Sequence, residues 1–203
     1  MSFCLTTLYT PNYCNFAPIA IRSFEKFCEK YKSDLVVFDY LIDKNKHPAW
    51  NKLLAVKECF KKYESVLWCD IDSLYLDIDF HFFGLNNLFN KSLVINSDGN
   101  GLCSSHMFVK RTPYNEKLID TLLFLGDVKD NKRFNDPAPK WEQNSLKALQ
   151  DHFDIPIDYF LHSTVIEHDA DRLQFNSFFV HYFCLSEEQR VKKMKHTFDS
   201  FYN

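Results

Sequence analysis

Apolar positions along the chain alternate between two periods. Phe3 to Leu8 is a nearly continuous apolar run, broken only by Thr6 and Thr7, and reads as a buried strand. Tyr9-Thr10-Pro11-Asn12 follows it with turn chemistry. From Pro18 to Tyr31 the apolar residues fall at Ala20, Ile21, Phe24, Phe27, Cys28 and Tyr31, which is the spacing of one helix face. Leu35 to Phe38 is a second short strand run. His47-Pro48 then opens a helix over 49–63, with Trp50, Leu53, Leu54 and Phe60 as its apolar stripe and Lys57, Lys61 and Lys62 outside. Val66 to Cys69 is the next strand and runs directly into Asp70.

Leu93–Ile95, Met107–Val109 and Phe178–Val180 are further strand segments. Helices are expected over 113–124, 142–151 and 187–198. The last carries Glu187 and Glu188 at its start and lysines near its end, matching the helix dipole. Strands alternating with helices imply an α/β fold with a mixed, mainly parallel sheet. In such sheets ligands bind beyond the carboxyl ends of the strands, which directs attention to residues 6–12 and 70–73.

Composition narrows the chemistry. The 203 residues suit one domain and bury enough surface to need no staples. A net charge of −3 argues against a nucleic-acid partner. Four glycines, at 84, 99, 101 and 126, cannot form a phosphate-cradling loop, which counts against a nucleotidyltransferase. Seven scattered cysteines, with no C-x-x-C pair, read as reduced thiols of a cytoplasmic protein. No apolar stretch approaches the roughly 18 residues of a membrane span.

Three Asp-x-Asp patterns occur: Asp70/Asp72, Asp77/Asp79 and Asp169/Asp171. Only the first follows a buried strand, and the other two read as solvated loop charge. Side chains two apart on extended backbone point the same way. The Asp70-Ile71-Asp72 pair can therefore grip one hard cation through oxygen ligands, Mg²⁺ or Mn²⁺.

With that pair in place the chain resembles the GT-A glycosyltransferases. The run Tyr63-Glu64-Ser65-Val66-Leu67-Trp68-Cys69-Asp70-Ile71-Asp72 is similar to the donor-binding core of their galactosyl- and xylosyltransferase group, and Trp50-Asn51-Lys52 fits the helix stretch before it. Three later segments keep the family order. Cys103 to Lys110 resembles the small-residue strand that faces the donor sugar, with Ser105 among its contacts. Trp141-Glu142-Gln143-Asn144 resembles a Glu-Gln helix start. Phe178 to Phe183 resembles the terminal strand whose histidine, here His181, is a third metal ligand. The glycine expected after that histidine is absent, and Cys184-Leu185 stands in its place. Size, composition and the absent anchor look more like the small glycosyltransferases of large algal viruses, and for such a protein the host cytoplasm is the expected location.

The resemblance implies a single GT-A-like domain, with a nucleotide-binding half over about 1–100 and an acceptor- and metal-closing half over about 101–203. It implies a UDP-sugar donor, Mn²⁺ or Mg²⁺ held by Asp70, Asp72 and His181, and a glycan acceptor. Thr6, Thr7 and Tyr9 are expected at the uridine, Tyr9 by stacking. Ile71 is expected beside the nucleotide between the two acids. Lys52 is expected to reach the diphosphate, and Arg190, Lys192, Lys193 and Lys195 either line its exit or form a solvated helix face. Glu142 is the expected acceptor-side carboxylate, a base in an inverting reaction or an orienting group in a retaining one. Asp98 reads as part of a turn or as a donor-sugar contact, and Trp141 as an acceptor platform or core.

Two other classes fit the residues. Asp70-Ile71-Asp72-Ser73-Leu74 also resembles the first motif of haloacid-dehalogenase phosphatases, with Asp70 as nucleophile and Gly126-Asp127 as a later acidic motif. A non-catalytic nucleotide- or carbohydrate-binding domain would bind and not turn over.

Overall fold

The computed structural model describes residues 2–76, 89–98, 101–127, 141–160, 165–167 and 178–202. Strands β1 (Phe3–Leu8), β2 (Asp34–Phe38) and β3 (Ser65–Cys69) are separated by helices α1 (Ala17–Tyr31) and α2 (Pro48–Cys59). After β4 (Ser73–Tyr75) come β5 (Leu93–Asp98), β6 (Gly101–Lys110), α3 (Pro113–Asp127), α4 (Glu142–Phe153), β7 (Asp158–Tyr159), β8 (Val165–Glu167), β9 (Phe179–His181) and α5 (Glu187–Tyr202).

The main sheet has six strands in the order β2-β1-β3-β6-β5-β7. β1 pairs in parallel with both β2 and β3, and β5 with β7. β6 runs against both of its neighbours, β3 and β5. A single reversed strand in an otherwise co-directional sheet is thus the form the mainly parallel sheet takes. β4, β9 and β8 form a second, three-stranded sheet, with β9 antiparallel to β4 and parallel to β8.

Alternation along the strands explains the unbroken apolar runs. On β1, Phe3 and Leu5 face one core cluster, while Cys4 and Leu8 face the other. On β3, Leu67 and Cys69 join the first cluster, and Val66 and Trp68 join the second. A sheet covered on both faces has no wet side, so its strands show no polar alternation. The first cluster is closed by α1, α5 and the small sheet, and the second by α2, α3 and α4. Each fully buried Leu, Phe or Val contributes about 1.5–3 kcal/mol relative to exposure.

The helices start where the sequence signals. His47 caps α2, its Nδ1 accepting from the Ala49 N–H at 3.2 Å, with Pro48 in the first turn. The expected single stripe on α2 is too simple. Asn51 and Lys52 are buried with Trp50, Leu53, Val56 and Cys59, because this helix lies against both the core and the cavity described below. α2 also ends at Cys59, short of Tyr63. Short β4, β7 and β8 carry no periodicity long enough to announce them, and β6 is far longer than its apolar triplet Met107–Val109. Asp77, Asp79, Asp169 and Asp171 lie outside the described residues. Cys184 adopts φ 52°, the left-handed region that favours glycine, so the chain turns there without one. Among the described residues no helix is long and apolar enough to cross a membrane.

Candidate active site

The site begins at the end of β3. Asp70 lies on the same side of the extended chain as Val66 and Trp68, which face α2. It therefore meets Lys52 of α2, whose Nζ donates to Asp70 Oδ1 at 3.1 Å. The Trp68 indole N–H donates to the same oxygen at 2.7 Å. β6 braces Asp70 from the other side, the Asp70 N–H donating to the Ser105 carbonyl at 2.8 Å.

Asp72 is assembled by the small sheet. Ser73 pairs in register with His181, so β9 brings that histidine beside the preceding acid. The Tyr182 N–H donates to the Asp72 carbonyl at 2.8 Å. His181 Nε2 stands 3.4 Å from Asp72 Oδ1 and 3.9 Å from Asp70 Oδ2. Ligand atoms of Asp70, Asp72 and His181 all lie within 4.8 Å of one another. Arg190 of α5 turns inward: its Nη2 is 3.6 Å from Asp72 Oδ2 and its Nε donates to the Tyr182 carbonyl at 2.9 Å. Each acid thus has one oxygen directed at an internal cation and the other toward His181.

Burial pushes the Asp70 carboxyl above its ordinary value against the pull of Lys52, and the Asp72 charge adds to the push. Burial also acts on Asp72, but the hydrogen bond and charge of His181, with Arg190, outweigh it and hold that carboxyl low. Burial would lower His181; the hydrogen bond to Asp72 and the two carboxylate charges win, and its imidazole is raised. Two close carboxylates raising a histidine describe a place with excess negative charge, which a cation relieves.

These residues line a cavity of about 510 Å³. Tyr9, Lys52, Asp70, Ile71, Asp72, Ser105, Glu142 and His181 all face it, as do Trp68, Ser104, Trp141 and Gln143. Glu142 opens α4, lines the same cavity and is only 3 % exposed. Its Oε1 accepts from Ser104 Oγ at 2.6 Å and lies 2.9 Å from Lys52 Nζ. Its Oε2 is buried with no hydrogen-bond partner among the described residues. Gln143 Oε1 accepts from the Ser104 N–H at 3.0 Å, fastening the start of α4 to β6. Trp141, 45 % exposed, stands edge-on to His47 with ring centroids 4.5 Å apart.

Thr6 and Thr7 are not at the cavity. Both are fully buried in β1, and Thr6 Oγ1 donates to the Val36 carbonyl at 2.9 Å. The strand ends at Leu8, as its apolar run indicates, and the cavity lining begins there with Leu8, Tyr9 and Thr10. Asp98 is the last residue of β5, and its side chain lies outside the described residues. Lys192, Lys193 and Lys195 are exposed and only Arg190 of that group reaches the site. Ser104 was not separable from its neighbours by sequence, since a serine in a run of small residues carries no orientation signal. Asp127, the later acid of the phosphatase alternative, ends α3 and pairs with Lys46; it does not line the cavity.

No family model and no curated protein matches the chain. Solved structures do. A glycosyltransferase involved in glycosylation of the major capsid of PBCV-1 is 14 % identical, with a TM-score of 0.71 over 97 % of this chain and 100 % of that one. The galactosyltransferase LgtC, solved with donor and acceptor sugar analogues, is 13 % identical, with a TM-score of 0.59 over 98 % and 96 %. Drosophila β1,4-galactosyltransferase 7, a mutant solved with manganese, UDP-Gal and xylobiose, is 9 % identical, with a TM-score of 0.51 over 95 % and 80 %. The single-domain fold is therefore that of the GT-A glycosyltransferases.

Proposed function

We propose that this chain is a metal-dependent glycosyltransferase that moves a sugar from a UDP-sugar to a glycan hydroxyl. The observation that carries the proposal is the convergence of Asp70, Asp72 and His181 on a cavity that Glu142 also lines. Two carboxylates and an imidazole suit Mg²⁺ or Mn²⁺, and the nitrogen ligand favours Mn²⁺. Asp70, Asp72 and His181 would hold the ion, which as a Lewis acid stabilises a diphosphate leaving group. A neighbour of the same fold is solved with manganese and UDP-Gal, which supports this choice of ion and donor.

The chain's own residues divide the remaining work. Tyr9 offers an aromatic face to the base, and Ile71 an apolar wall between the acids. Ser105 fixes the backbone of Asp70 and faces the sugar. Glu142 lines the cavity with one oxygen held by Ser104 and Lys52, and its carboxylate binds the acceptor hydroxyl. With inversion it also takes the proton as the acceptor oxygen bonds to the anomeric carbon and the bond to the diphosphate breaks. Trp141 gives the acceptor ring a flat surface at the cavity mouth.

The test is release of UDP from a panel of UDP-sugars with oligosaccharide acceptors, in Mn²⁺ and in EDTA. Release confined to one donor and to the metal is expected. Phosphate release from a chromogenic ester, with none of UDP, would overturn the proposal in favour of a phosphatase.

A further inference from the structure

Lys52 is 7 % exposed, and every polar contact it makes is internal. Its ammonium donates to Asp70 Oδ1 at 3.1 Å, to the Ser104 carbonyl at 3.2 Å and to Ser104 Oγ at 3.3 Å, and stands 2.9 Å from Glu142 Oε1. It also lies 5.7 Å from the Trp68 ring centroid, whose indole N–H donates to the same Asp70 oxygen. One buried positive charge therefore serves two carboxylates from different elements, Asp70 at the end of β3 and Glu142 at the start of α4. An ammonium has three protons, and here all of them are directed at Asp70, Glu142 and Ser104. Placing one cation between two anions in a site of low dielectric makes each anion sensitive to the other.

We infer that Lys52 is a positioning residue that couples the metal-side carboxylate Asp70 to the acceptor-side carboxylate Glu142. Neutralising Glu142 leaves Lys52 wholly to Asp70, and Asp70 then holds a divalent cation less firmly. A cation on the acidic wall repels Lys52 toward Glu142 and Ser104, which tightens the acceptor wall. Coupling of this kind is reciprocal. Lys52 lines the cavity where the diphosphate contact is expected of it, and the coupling is a role beyond that contact. The inference rests on the metal site proposed above.

A double-mutant cycle tests it. Mn²⁺ affinity is measured by calorimetry for wild type, Glu142→Gln, Lys52→Met and the double variant. Glu142→Gln is expected to weaken Mn²⁺ binding by about fivefold when Lys52 is present and by less than about twofold when it is absent. Lys52→Met alone is expected to tighten it by a similar factor. Lys52→Met alone leaves two buried acids unpaired and is the variant at risk of misfolding; the double variant removes one of those charges, and circular dichroism checks both. Should Lys52→Met not fold, the comparison of wild type, Glu142→Gln and the double variant still decides: coupling puts the double variant more than about twofold tighter than wild type, and a double variant no tighter than wild type overturns it.

The Trp68 indole N–H resonance supplies a metal-free readout. It is expected to move on Glu142→Gln in the Lys52 background, and between the double variant and Glu142→Gln. An equal effect of Glu142→Gln with and without Lys52, or a Trp68 resonance that ignores both changes, overturns the coupling while leaving the metal site standing. Wild type that binds no Mn²⁺ overturns the metal site, and the coupling falls with it.

Discussion

Asp70 and Asp72 sit two residues apart and depend on different parts of the chain. Asp70 is held by Lys52, Trp68 and the Ser105 carbonyl, all on elements of the main sheet and its α2 cover. Asp72 is held by His181, Arg190 and the Tyr182 N–H, all from the final strand and helix. The first arm is ready once the sheet is built. The second needs β9, the central strand of the small sheet, and α5. A motif that reads as one unit in sequence is thus two half-sites with separate supports.

Breaking the C-terminal arm has the largest expected effect. Asp72→Asn removes a ligand and the hydrogen-bond acceptor of His181, and Mn²⁺-dependent UDP affinity is expected to fall about a hundredfold or more. Calorimetry reads that loss directly. Glu142→Gln, at the start of α4, is expected to cut transfer by about a hundredfold. Its UDP affinity in saturating Mn²⁺ should stay within about threefold of wild type, so kinetics and binding separate the two walls. An equal loss of both would place Glu142 in donor binding.

Arg190→Gln sharpens the comparison by weakening only the second arm. It strips a charge from beside Asp72 and a donor from the Tyr182 carbonyl, at an expected cost of about 1–3 kcal/mol in denaturant unfolding. A change below a few tenths would show that α5 does not brace the acid.

The smaller tests concern protons and backbone. His181 is raised by Asp72, so in the metal-free protein its imidazolium contributes stability that is full below its unfolded pKa of about 6.5 and is lost as pH rises through the raised folded value. Proton and metal compete for the same nitrogen, and Mn²⁺ affinity should climb over that window. In Asp72→Asn the ring should titrate lower by NMR. Cys184→Gly relieves a left-handed residue and is expected to stabilise by about 1 kcal/mol, read as a raised unfolding midpoint.

The α/β order was legible because long apolar runs and helix stripes survive any tertiary context. Strand direction was not: nothing in Gly101–Lys110 distinguishes a reversed strand from a parallel one, since both are buried on two faces. Asp70 and Asp72 were legible as acids at the mouth of a buried strand, and His181 as a histidine delivered by a late apolar run. Thr6 and Thr7 were placed at the cavity by resemblance alone; the end of β1 at Leu8 was legible, but not that both threonines are buried inside the strand. Arg190 was ambiguous because a dipole-matched basic helix is ordinary, and only the packing of α5 turns one of its cations inward. The paired use of Lys52 could not be read at all, because it depends on α2, β6 and α4 meeting.

The most direct test of the central claim is calorimetric titration with UDP, in Mn²⁺ and in EDTA. Binding that requires Mn²⁺ and disappears in Asp72→Asn is the predicted result. UDP binding of equal strength in EDTA, or none in either condition, would contradict a metal-held nucleotide site at Asp70, Asp72 and His181.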